Sequence, residues 1–188
     1  MSTINVNAID KESGSTLTLG GSGTTVQPHA SATVSGFGGG KVLQVVQTFK
    51  DDTFSTNAVG VGNAVTLTGL TASITPSSTS SKILISWMIN FSTSASYTGY
   101  CNIMRDTTAI AQPSSGSDPS SFNLQVRDTN VVRAASGSYL DSPSSTSAIT
   151  YSFDVWSSHT SNTILINQMT ASAPITTVST ITLMEIGA

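Results

Sequence analysis

Every second residue from Ile83 to Phe91 is large and apolar: Ile83, Ile85, Trp87, Ile89 and Phe91. Side chains on a strand alternate between two faces, so a strand here sends one unbroken hydrophobic row to one side. The alternate row, Leu84, Ser86, Met88 and Asn90, is half apolar. A strand that covers a single core leaves that row polar, so Leu84 and Met88 predict a second buried surface, either another sheet or a subunit contact. β-Branched and aromatic residues at period two between Ser/Thr-rich flanks favour a strand over a buried helix.

The same alternation recurs along the chain. Val42 to Phe49 is apolar on both faces, through Val42, Leu43, Val45, Val46 and Phe49. Ala64 to Leu70 reads as a strand, continued by Thr71 to Ile74, and Tyr97 to Arg105 as another, followed by a short piece at Thr108 to Ala111. Ile149 to Trp156 places Ile149, Tyr151, Phe153 and Val155 on one side and Trp156 on the other. Thr163 to Met169 and Val178 to Ile186 complete the set, with Ile181 and Leu183 opposite Val178, Met184 and Ile186. Leu124 to Val126 and Val131 to Ala135 read as weak strands or loop, and Tyr139, Leu140 and Asp141 fall inside a polar stretch from Ser136 to Ser147.

About eight strands spaced by Ser/Gly/Pro turns, with no helical period, predict an all-β antiparallel sandwich of jelly-roll type over residues 40–188. The first and last strands are apolar on both faces, so they lie centrally or meet neighbouring subunits. A jelly roll that brings its chain ends together in one sheet against a threefold axis satisfies this. Leu43, Val45, Leu84, Met88, Met184 and Ile186 are then the expected contacts of a homotrimer.

Residues 1–39 have a different texture. Ile4, Val6 and Ala8 alternate with Asn5 and Asn7, Ser15 to Leu19 alternates again, and Gly36 to Gly40 forms a glycine-rich joint. This stretch has too few large apolar residues for a core of its own. The segment is therefore either disordered or docked on another chain; short strands of this kind add to another chain's sheet through main-chain hydrogen bonds, which favours an attachment arm with Ile4, Val6, Leu17 and Leu19 as its anchors.

Charged residues make up only 9% of the chain, against roughly a quarter in an ordinary soluble protein, while Ser and Thr supply about a third. Such a surface is wetted by hydroxyls and suits close packing of subunits. A net charge of -3 excludes the dense basic face that nucleic acid requires. No run is long and apolar enough to span a bilayer, and no signal peptide is expected at the N-terminus. The lone Cys101 supports neither an internal disulfide nor a cysteine zinc site and reads as a small buried hydrophobe.

No catalytic constellation emerges. His29 and His159 lack metal-motif spacing, Asp51 and Asp52 diverge in a turn, and Gly60 to Gly62 has no following helix to make a phosphate loop. Asp154 reads as a structural ion-pair partner of Arg105 or Arg133. The chain is expected to be no enzyme and to hold no metal or cofactor. Aromatic side chains are the remaining candidate chemistry: Tyr97, Tyr100, Tyr139 and Trp156, with His159, are contacts for a sugar where they are exposed, and core or interface residues where they are not.

Three stretches, GKVLQVVQTF from Gly40, SKILISWMINF from Ser81 and ITLMEIGA at the terminus, resemble the C-terminal modules of tailed-phage fibre and virion proteins. Those modules are themselves similar to the trimeric jelly rolls of the tumour-necrosis-factor and complement head-domain class. The segment INVNAIDKESGSTLTLGGSGTTV resembles the short repeating β segments that precede such tips. The resemblance implies a virion structural protein, assembled in the host cytoplasm and exposed on the particle, whose arm binds another virion protein of tail or capsid. Its trimeric head is then either a tail-fibre receptor-binding tip that contacts the host surface, a glycan included, or a capsid decoration (cement or head-fibre) protein. A non-viral carbohydrate-binding module is the alternative outside virions.

Overall fold

A computed structural model describes residues 40–116, 119–125, 131–169 and 176–187. The arm and its anchors Ile4, Val6, Leu17 and Leu19, together with His29, lie outside the described residues.

Twelve strands are present among the described residues: β1 (Val42–Lys50), β2 (Phe54–Thr56), β3 (Val65–Thr66), β4 (Ala72–Ile74), β5 (Lys82–Thr93), β6 (Thr98–Arg105), β7 (Thr108–Ile110), β8 (Phe122–Gln125), β9 (Arg133–Asp141), β10 (Ile149–Ser157), β11 (Ile164–Ile166) and β12 (Ser179–Ile186). They form two antiparallel sheets. In the first, β5 carries β9 along one edge, and β12 followed by β11 along the other: Leu84 stands between Leu140 and Met184, and Phe91 between Arg133 and Ile166. Strands β1 and β2 pair with β12 and β11 in turn. In the second sheet, β10 lies between β6 and the short β3 and β4, and β6 carries β7 and β8. Each sheet thus has four columns. Numbered in chain order, the columns run 1-8-3-6 and 2-7-4-5, the connectivity of a jelly roll.

The predicted row of β5 forms the core: Ile83, Ile85, Ile89 and Phe91 are buried against Cys101 and Ile103 of β6 and Tyr151, Phe153 and Val155 of β10. Trp87 is half-buried, its ring stacked on Phe122 with centroids 5.2 Å apart. Cys101 is fully buried, and burial together with the charge of Asp154 pushes its thiol pKa well up, so it behaves as a hydrophobe.

One polar knot lies within the first sheet and a second joins the two sheets. Asn167 ends β11 in the left-handed region at φ 59°, a conformation Asn tolerates better than most residues. Its Nδ2 donates to the carbonyls of Lys50 at 2.9 Å and Asp52 at 3.0 Å, and its Oδ1 accepts from Ser179 Oγ at 2.6 Å. This fixes the step between β1 and β2 onto β12. At the other end, Arg105 of β6 donates from Nη1 to both carboxylate oxygens of Asp141 on β9, each at 3.1 Å. Tyr151 donates to the same carboxylate at 2.7 Å. Burial, then the Asp141 carboxylate, raises the Tyr151 phenol pKa.

Several expectations are corrected. The Ser136–Ser147 stretch is not simply polar loop: residues from Arg133 to Asp141 form one strand in unbroken register with β5. It sits at a sheet edge with its outer side uncovered, so Ala134, Ser136 and Ser138 blur the alternation. Ala64 to Leu70 is strand only at Val65–Thr66, because Gly69 turns the chain at φ 80° and both Leu67 and Leu70 drop into the core. Thr163 to Met169 shortens to Ile164–Ile166 where Asn167 reverses the backbone. Asp154 pairs with neither arginine; it accepts from Thr66 Oγ1 at 2.7 Å, and Arg105 goes to Asp141. Of the two strands apolar on both faces, β12 lies inside the sheet and β1 at its edge.

Candidate interaction surfaces

The outer side of the first sheet is built by parity. Since Ile181, Leu183 and Glu185 of β12 and Ile83, Ile85 and Ile89 of β5 point inward, the alternate residues face away from the core. Register sets them in rows. Val45, Met184, Leu84 and Leu140 stand directly opposite one another across β1, β12, β5 and β9, an apolar row spanning the whole sheet. The next row, Gln47, Thr182, Ser86 and Ser138, is polar, with Gln47 Nε2 donating to Thr182 Oγ1 at 2.8 Å. The third, Phe49, Thr180, Met88 and Ser136, is mixed. Ile186 and Val42 pair beyond the apolar row, and the bulged Leu43 lays its side chain over Gly187.

Core residues are almost fully covered, whereas Val45 is 56% exposed, Phe49 57%, Val42 54%, Leu43 49% and Leu140 46%. Leu84, Met88, Met184 and Ile186 are half-buried by their neighbours. The structure therefore brings Val45, Leu84, Met88, Met184 and Ile186 onto one face, with Leu43 at its end. It adds Leu140 and Phe49, which sequence reasoning did not select. Leu140 was hidden by the misread edge strand; Phe49 was noted as apolar but has the same parity as Val45, which was the available signal. An open depression of about 380 Å³ lies at the Ile186 end of this face, lined by Gly40, Lys82 and Leu140 among others.

Beneath that end, Glu185 is buried on the inner side. It accepts from Gln44 Nε2 at 2.6 Å and from Ser77 N and Oγ at 2.7 and 2.6 Å. Burial pushes its carboxyl up, but these bonds outweigh it and hold the pKa at about 2.

The aromatic candidates separate. Trp156 is completely buried, stacked on the half-buried Tyr100 at 5.6 Å, and the chain at Val59 bridges to its neighbour Ser157; it is no surface contact. Tyr139 stands opposite the buried Ile85 and packs against the core, so it too leaves the set. Tyr97 and His159 remain: both are exposed, and their rings stack face to face with centroids 4.0 Å apart and planes 4° from parallel. Among the described residues, no group of three or more His, Cys, Asp or Glu side chains is arranged to hold a metal ion.

The sequence matches no protein family and no curated protein. Among solved structures the chain is similar to one from an infectious bursal disease virus particle (11% identity, 76% of this chain and 37% of that one, TM-score 0.39). It is also similar to a mutant VP2 protein of the same virus in derived particles (13%, 77% and 36%, TM-score 0.39) and to VP2 of its subviral particle (11%, 76% and 38%, TM-score 0.37). The chain spans little more than a third of the length of these proteins.

Proposed function

We propose that this chain is a virion structural protein of tailed-phage type that assembles as a homotrimer through the outer face of its first sheet. Residues 1–39 attach it to another virion protein, and the head serves as a receptor-binding tip. The observation that supports the reading is the apolar row Val45–Met184–Leu84–Leu140, flanked by Val42, Leu43, Phe49 and Ile186, on a face that one copy leaves uncovered. Removing such half-exposed side chains from water is worth roughly 1 kcal/mol apiece. Identical copies supply the matching surface, and a chain with so few charges offers little repulsion against close packing.

Light scattering tests the assembly. The wild-type protein is expected at three times the 19.3 kDa of one chain. Val45→Lys combined with Leu140→Lys is expected to return the mass of one chain with an unchanged circular dichroism spectrum, because both side chains point away from the core. A wild-type protein that stays monomeric at tens of micromolar overturns the trimer. Immunogold labelling of intact particles tests the placement: gold confined to the tail supports the tip, gold over the shell replaces it with capsid decoration, and unlabelled particles end the virion reading.

A further inference from the structure

We infer that the Tyr97–His159 stack is a platform for a neutral pyranose ring of a surface glycan, an inference that deepens the receptor-binding reading above and rests on it. The pair lies between two loops, 94–97 after β5 and 158–163 after β10. The chain enters the sandwich at Gly40, whose N–H bonds Gly187 beside the start of β5. Tyr97 follows the other end of that twelve-residue strand, about 40 Å away at 3.3 Å per residue. The pair therefore lies at the end of the sandwich remote from Gly40.

The platform is built before any ligand arrives. Ser94 N donates to Thr163 O at 3.0 Å and Thr163 N to Ser94 Oγ at 2.7 Å, which ties one loop to the other. Asn162, itself buried, accepts from Ala95 N at 3.2 Å and donates to Ser157 Oγ at 3.0 Å. Ser161 N donates to His159 Nδ1 at 3.1 Å, which sets the imidazole plane. Stacking uses one face of each ring, and both residues are exposed, so the outer face of the pair is the surface offered to a ligand. The C–H groups of a pyranose face lie flat against such a surface. A rigid platform spares the ordering cost that weakens flexible sites.

Around the flat face, Tyr97 Oη and His159 Nε2 make no hydrogen bond with the described residues, so both can meet sugar hydroxyls. No Lys, Arg, Asp or Glu occurs in 94–97 or 158–163. With no Lys or Arg in either loop to pair with a carboxylate, the two loops suit a neutral hexose better than a carboxylated sugar. One stacked ring binds weakly, and a trimer carrying three platforms raises the apparent affinity on a densely glycosylated surface.

Saturation-transfer NMR on the full-length protein tests this, with methyl β-D-galactopyranoside, methyl β-D-glucopyranoside, N-acetylglucosamine and N-acetylneuraminic acid as probes. At least one neutral sugar is expected to receive saturation and the acidic one none. Tyr97→Phe keeps the stacking face but loses the phenol and should weaken binding only about twofold, His159→Ala should weaken it several-fold, and Tyr97→Ala at least tenfold. Silence from all three neutral sugars, or a Tyr97→Ala protein that binds as well as wild type, overturns the inference. A stronger signal from the acidic sugar overturns the choice of neutral ligand. Light scattering on the same samples and gold labelling of particles keep the two readings apart. A trimer found on the tail without sugar binding sinks only the platform; sugar binding by a protein absent from particles sinks only the virion assignment.

Discussion

The indole of Trp87 occupies the space where a side chain on Gly137 would begin: a Cβ built there would lie 2.7 Å from Trp87 Cζ2. The two residues stand opposite each other on β5 and β9. The ring reaches across its own strand's neighbour and stacks on Phe122 of the other sheet. Glycine in an edge strand is otherwise a cost, so its presence here answers to the tryptophan.

Gly137→Ala is therefore expected to destabilise the fold by about 1–3 kcal/mol, the usual cost of forcing an extra carbon into packed space. Urea unfolding followed by tryptophan fluorescence measures it. The double substitution Gly137→Ala with Trp87→Leu should lose less than the sum of the two single changes, because the smaller side chain vacates the clash.

Glu185 gives a pH dependence with a defined sign. Its folded pKa of about 2 lies below its ordinary value of 4.5, so on acidification the unfolded chain takes up this proton first. The stability it contributes is complete above pH 4.5 and is lost as the pH falls toward 2. Melting temperature is expected to fall across that window more steeply in wild type than in Glu185→Gln. The variant should also melt lower at pH 7, where it lacks the charge that Ser77 and Gln44 stabilise.

Asp141 serves two partners from one buried carboxylate, Arg105 and Tyr151. Asp141→Ala strands both, but the half-buried Arg105 can turn to water, so the cost should be about 2–3 kcal/mol, most of it from the unsatisfied Tyr151 hydroxyl and the lost charged hydrogen bonds. Tyr151→Phe removes a single hydrogen bond and should cost about 1 kcal/mol. Denaturant unfolding of the two variants and of the double substitution shows the expected coupling: once Asp141 is gone, Tyr151→Phe should relieve an unsatisfied hydroxyl and cost nothing further.

The strand containing Trp87 was legible because its inner row is uniformly large and apolar, and Ile149 to Trp156 because Tyr151, Phe153 and Val155 alternate cleanly. The surplus apolar residues Leu84, Met88 and Met184 were legible as a second surface, and the structure places them on one. Strand β9 was not legible. An edge strand with one uncovered side needs no strong alternation, and its glycine and serines imitate a turn until Trp87 is placed above them. Whether Trp156 was covered was not legible either: its parity points it out of the sandwich, and parity says nothing of Tyr100 beside it.

Local pattern alone determined that this chain is all-β, roughly where its strands run, and that it carries more apolar strand surface than one core consumes. Those properties depend on side chains two residues apart, which the sequence lists directly. Only the tertiary structure decided that Val45, Met184, Leu84 and Leu140 form one row, that Arg105 chooses Asp141, and that Tyr97 meets His159. Each of these joins residues tens of positions apart, and strand register and loop closure, not neighbouring residues, bring them together.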